Sequence, residues 1–66
     1  MNMNFEIIVK TLRRKMLLTQ EEFAKLIGTS FSAVNRWENG KSAPSIKAQR
    51  KIKELCSKYG MKSMWR

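Results

Sequence analysis

The sequence has no histidine, no aspartate and a single cysteine, Cys56. One cysteine excludes an internal disulfide framework. Without histidine, the Cys/His sets of a structural zinc site cannot be assembled. Neither a metal nor a cofactor is expected, and Cys56, with no histidine to activate it, reads as a small core residue rather than a nucleophile. Proline occurs once and glycine three times, and all four fall between segments of helical periodicity. The longest apolar runs are three residues, far short of the ~20 that a membrane span needs. The N-terminus lacks the basic-then-apolar pattern of a signal peptide, so a cytoplasmic protein with no membrane contact is expected. No acid–base pair, nucleophile dyad, metal cluster or phosphate-cradling glycine loop is visible, so an enzyme is not expected.

Negative charge is scarce as well. Five glutamates oppose fourteen lysines and arginines, which leaves a formal net charge of +9 on 66 residues. A chain this short makes one small domain and buries only ~60% of its unfolded surface. Such an excess of positive charge favours polyanions through counterion release. Its plain alternative is a solvated basic surface that keeps the chain soluble.

What is present is helical. Phe5, Ile8, Val9, Leu12 and Met16 recur at helical spacing, which predicts a first helix from Phe5 to Met16. Asn4 caps it, and Met3 staples onto Ile8. Thr19 and Glu22 have the spacing of a capping box at the start of a second helix, flanked by Leu18 and Phe23 as a staple pair. Phe23, Ala24 and Ile27 form its buried face, and Gly28 stands where a left-handed residue ends it. Ser30 caps a third helix that stops at Asn39-Gly40. Ser45 caps a fourth, running to Tyr59, with Ala48, Ile52, Leu55, Cys56 and Tyr59 on one face. No strand is predicted. The domain is expected over residues 1–60, with a tail at 61–66. In that tail Met61, Met64 and Trp65 pack back on the core, meet a second chain or fray, since six residues cannot hold a helix alone.

Residues 19–40 fit a helix-turn-helix. Ala24 is small where two helices cross, Gly28 accepts a positive φ, and Val34 and Trp37, one turn apart, both reach the core. On the other side of the third helix Ser32, Asn35, Arg36 and Asn39 fall at i, i+3, i+4 and i+7 and form one polar, acid-free stripe. Such side chains match the donors and acceptors of base edges in a major groove: Arg36 suits guanine O6 and N7, Asn35 suits adenine N6 and N7, and Ser32 is permissive. A polar outer face alone is what any surface helix shows. Joined to the turn, the caps and the charge, it points to double-stranded DNA.

These residues carry a family resemblance. The strings Leu18-Thr19-Gln20-Glu21-Glu22-Phe23-Ala24, Ile27-Gly28-Thr29-Ser30, Val34, Trp37-Glu38-Asn39-Gly40-Lys41 and Pro44-Ser45 resemble the XRE type of helix-turn-helix, the fold of the phage lambda repressor and Cro proteins. The resemblance implies an all-α, four-helix domain, or five-helix where the chain continues. It implies base contacts from Ser30, Phe31, Ser32, Asn35 and Arg36 and phosphate contacts from Thr19, Gln20, Asn39 and Lys41. It also implies a pair between Arg13 and Glu38. Ala24, Gly28, Val34 and Trp37 take structural roles. Three positions depart from the family pattern. Phe31 replaces a polar residue, and either touches a thymine methyl or packs beside Val34. Leu17 replaces a glycine in the bend after the first helix. Gln49 replaces a leucine, which bears on the register of the fourth helix.

The expected function is that of a small transcriptional regulator or repressor that binds double-stranded DNA, as a homodimer on a palindromic site where two copies meet. The alternative is an antitoxin-like or adaptor module that mainly holds a protein partner through Met61, Met64, Trp65 and the fourth helix. A cationic membrane peptide, suggested by the basic neighbours of the first helix, fits poorly with the caps, the turn and Trp37.

Overall fold

The structure, a computed structural model, describes residues 4–65. The staple from Met3 lies outside them. Four helices follow in order: α1 (Phe5–Lys15), α2 (Gln20–Ile27), α3 (Phe31–Glu38) and α4 (Ile46–Lys58), then one 3-10 turn at Lys62–Met64. No strand occurs among the described residues.

Local chemistry starts each helix. Asn4 Oδ1 accepts from the Ile7 N–H at 3.2 Å, Ser30 Oγ from Ala33 at 3.1 Å and Ser45 Oγ from Ala48 at 3.2 Å. At α2 the capping box is complete: the Thr19 hydroxyl accepts from the Glu22 N–H at 3.1 Å, and the Thr19 N–H donates to Glu22 Oε1 at 2.9 Å. These side chains satisfy donors that a helix start leaves unpaired.

The helices also share one way of stopping. Gly28, Gly40 and Gly60 have positive φ, and so does Leu17, at +58°. After each, the next N–H reaches back to a carbonyl of the helix just finished: Leu18 to Arg13, Thr29 to Ala24, Lys41 to Arg36 and Met61 to Cys56. Leu17 thus does in the first bend what glycine does in the other three, and a Cβ makes that conformation unfavourable by about 1–2 kcal/mol. Its side chain gains nothing in return, being 90% exposed. Replacing Leu17 by glycine should therefore stabilise the domain, by up to ~1 kcal/mol once the extra freedom of an unfolded glycine is deducted. A lower urea midpoint in the variant would contradict this reading of the bend.

The core comprises Ile8, Val9 and Leu12 of α1, Phe23 and Ala24 of α2, Val34 and Trp37 of α3, and Ala48, Ile52, Leu55 and Cys56 of α4, closed by Met61. α1 and α2 both pack on α3, while α4 packs on α1 and α2. Burial raises the Cys56 thiol pKa, as suits a core residue. One expectation needs correction here. Tyr59 is 39% exposed, because it is the C-cap of α4, where the chain leaves the helix. Its place is taken by Met61, 2% exposed, which the turn at Gly60 brings back under the helix. Met61 is thus a core residue. Met64 and Trp65 pack against the same cluster, and Trp65 meets the Phe5 ring edge-on at 5.8 Å. Gln49 sits half-buried and donates from Nε2 to the Pro44 carbonyl at 2.8 Å. Tying the loop to the helix start, it leaves the register set by Ile52 and Cys56.

Candidate nucleic-acid interface

α3 is rooted on one side and open on the other. Val34, Trp37 and Glu38 are buried, whereas Ser32, Asn35, Arg36 and Asn39 are exposed. The side that faces out is the acid-free stripe. Ser30, at the cap, is exposed as well, and because its oxygen serves as acceptor in the cap, its O–H remains available as a donor. Phe31 is half exposed and lies outside the core. With Arg13, Thr19, Gln20 and Glu21 it lines a shallow groove at the start of α2. Asn35 and Asn39 are linked to each other: Asn39 Nδ2 donates to the Asn35 main-chain carbonyl at 2.8 Å and to Asn35 Oδ1 at 3.0 Å.

The tilt of α3 is held by a buried ionic cluster. Glu38 is 2% exposed. Arg13 grips it from α1 with a fork: Nε to Oε2 at 2.6 Å and Nη2 to Oε1 at 3.0 Å. The third arm of the guanidinium, Nη1, donates to the Leu18 carbonyl at 2.9 Å, so one side chain joins the end of α1, the bend and the end of α3. Gln20 Nε2 completes the cluster by donating to Glu38 Oε1 at 3.0 Å. Burial alone would raise the Glu38 pKa. The hydrogen bonds from Arg13 and Gln20 and the nearby charges of Arg13 and Lys10 outweigh it and hold the carboxyl below its ordinary value. Its hydrogen bonds to Glu38 push the Arg13 pKa upward. Both partners are charged at neutral pH.

At the start of α2 the remaining donors can be counted. The Thr19 and Glu22 N–H groups are used by the capping box, and the Phe23 N–H bonds Thr19 O inside the helix. The Gln20 and Glu21 N–H groups sit at the positive end of the helix, within the groove-lining residues. The Thr19 hydroxyl acts as acceptor in the cap and keeps its own hydrogen, and Gln20 keeps its second amide hydrogen. Hydrogen bonds from its own Thr19 partner hold the Glu22 carboxyl pKa down, so it remains charged as a cap. Lys41, after α3, is exposed.

The Asn39 side chain, expected at a phosphate, is turned toward Asn35. Its side-chain nitrogen lies against two oxygens of Asn35, and its main-chain N–H bonds the Asn35 and Arg36 carbonyls at 3.1 and 3.3 Å. The link from Asn39 to Asn35 was missed from the sequence, although its i, i+4 spacing was there to see. The bond between Gln20 and Glu38, eighteen positions apart, has no local signal.

A profile of the family described as helix-turn-helix matches residues 9–63. Antitoxin PezA of Streptococcus pneumoniae is 38% identical over 53 residues, covering 80% of this chain. The chain spans about a third of the length of that relative, 32%. No solved structure matches. No helix among the described residues is long and apolar enough to cross a membrane. With the matched profile covering most of the chain, and four capped helices set around an outward-facing α3, the chain belongs to the XRE-type helix-turn-helix family.

Proposed function

We propose that the chain is a sequence-specific binder of double-stranded DNA that acts as a small transcriptional regulator, with α3 in the major groove. The observation that carries this reading is the exposed stripe of Ser32, Asn35 and Arg36 on a helix rooted by Val34, Trp37 and the Glu38 cluster. A helix of this kind fits one major groove, and guanidinium and carboxamide groups match its base edges. Ser30 and Phe31 lie at its N-terminal end, where the half-exposed ring can meet a thymine methyl. Thr19, Gln20 and the free N–H groups of α2 suit a phosphate, and Lys41 adds salt-sensitive affinity. Two copies would meet on a palindromic site with half-sites about one helical turn apart.

Selection of bound sequences from a random duplex pool tests the reading. It should return a defined site, and the number and spacing of its repeats would give the stoichiometry. Arg36→Ala should weaken the selected site by ~1–3 kcal/mol and relax one base position. An unchanged preference in that variant would remove Arg36 from base reading.

A second reading, an antitoxin-like or adaptor module holding a protein partner, is favoured by the relative named an antitoxin. Truncation after Gly60 is not a clean test of it, because Met61 is a core residue. An Asn35→Ala, Arg36→Ala double variant is better. It should lose DNA while leaving any partner binding intact, and a chain for which no duplex is ever enriched would favour the partner reading.

A further inference from the structure

The Asn39 amide nitrogen is engaged twice on a single neighbour. The order of atoms in that contact follows from chemistry. The main-chain carbonyl of Asn35 can only accept, so the Asn39 atom 2.8 Å from it is nitrogen. That nitrogen can only donate, so the Asn35 side-chain atom 3.0 Å away is the oxygen Oδ1. The Asn35 amino group is therefore turned away from Asn39. A lone exposed asparagine could present its amide either way round. Here the second asparagine selects one way.

The geometry points to Asn39 as a positioning residue that sets the base preference of Asn35. This rests on the reading of α3 as the helix that enters the major groove. With Asn39 in place, Asn35 offers an amino group and the second lone pair of Oδ1, a donor beside an acceptor in fixed order. Adenine presents the complement, an N7 acceptor beside an N6 donor. Guanine presents two acceptors, N7 and O6, so the held Oδ1 would face O6 with no hydrogen between them. Turning the amide to offer its amino group to guanine O6 would break the bond to Asn39, bring two amino groups together and leave Oδ1 against N7, another acceptor. Asn39 thus works against guanine without touching DNA. Its own position is firm, since its main-chain N–H is tied to the end of α3.

The experiment is duplex selection with wild type, Asn35→Ala, Asn39→Ala and Asn39→Asp, followed by binding to matched adenine and guanine duplexes. Asn35→Ala identifies the base pair that Asn35 reads. At that pair the wild type should prefer adenine to guanine by about tenfold or more. Both Asn39 variants should reduce this ratio to about threefold or less, with preferences elsewhere in the site unchanged. The aspartate also lowers overall affinity through its charge, so the readout is the ratio within each variant, and thermal unfolding accompanies it. Three results would overturn the proposal. An unchanged ratio in both Asn39 variants, with Asn35→Ala altering one base pair, leaves the groove reading standing and removes Asn39 from it. A lower melting temperature with an unchanged ratio makes Asn39 a helix end and nothing more. No altered base pair in Asn35→Ala removes Asn35 itself from base reading, and the positioning role with it.

Discussion

Replacing Arg13 by methionine should destabilise the domain by about 3–5 kcal/mol at neutral pH and reverse the effect of acid on the Glu38 site. Methionine keeps much of the apolar stem but leaves the buried Glu38 carboxylate with Gln20 as its one hydrogen-bond donor among the described residues, and it strips the Leu18 carbonyl of the Arg13 guanidinium. Breaking a buried pair by removing one member is costly because the charge left behind has lost both water and its counter-ion. A 66-residue domain has only about 3–10 kcal/mol in all, so the variant would sit near the edge of folding.

The pH dependence identifies the cause. In the wild type the Glu38 pKa is held down. Its contribution to stability is then present above the unfolded value of about 4.3 and is lost as pH falls through the lower folded value. In the variant, burial dominates and raises the folded pKa. The folded state then binds the proton more readily than the unfolded one, and stability returns as pH falls through that raised value, fully so below about 4.3. Glu22, whose pKa is also held down, titrates alike in both proteins. The quantity to follow is the difference between them, by urea denaturation at pH 7 and pH 4.5. It should shrink on acidification. A difference that stays constant or grows would mean that Glu38 is not left charged and buried.

The parts of this cluster were not equally visible in the sequence. Caps and turns were legible because their partners are close in sequence, three residues apart at the caps (Asn4 with Ile7, Thr19 with Glu22, Ser30 with Ala33, Ser45 with Ala48) and five at the turns. The outward stripe of α3 followed from helical spacing, and Asn35 and Arg36 are exposed as that spacing requires. The pairing of Arg13 with Glu38, 25 positions apart, came only through the family resemblance, since charge spacing along one helix says nothing about a partner on another. Leu17 shows a different limit. Its departure from glycine was plain, but spacing does not say whether the chain avoids the left-handed turn or accepts it with a Cβ, and the structure accepts it at φ +58°. Met61 and Tyr59 exchanged places because a helix pattern cannot show where the chain folds back, and Gly60 turns it one residue after Tyr59.

Trp37→Ala should produce a loss of similar size, ~3–5 kcal/mol, for a different reason. Trp37 is 5% exposed and lies in the core cluster on the inner side of α3. Its removal leaves a cavity that α1 and α3 cannot close while Arg13 holds Glu38, the next residue along, in a fixed fork. Two outcomes separate a scaffold role from a direct role in DNA reading. Because only the folded chain binds the selected duplex, duplex at one hundred times its dissociation constant should restore about 2.7 kcal/mol, visible as recovered helical circular dichroism. The variant refolded in this way should keep the base preference of the wild type, since Ser32, Asn35 and Arg36 are untouched. Trp37→Phe, which retains a ring, should lose less than the alanine variant. A loss below ~1 kcal/mol in Trp37→Ala would deny that the tryptophan anchors α3. A changed base preference in the duplex-bound variant would mean that the tilt of α3, and with it the reach of Asn35 and Arg36, depends on the size of this one side chain.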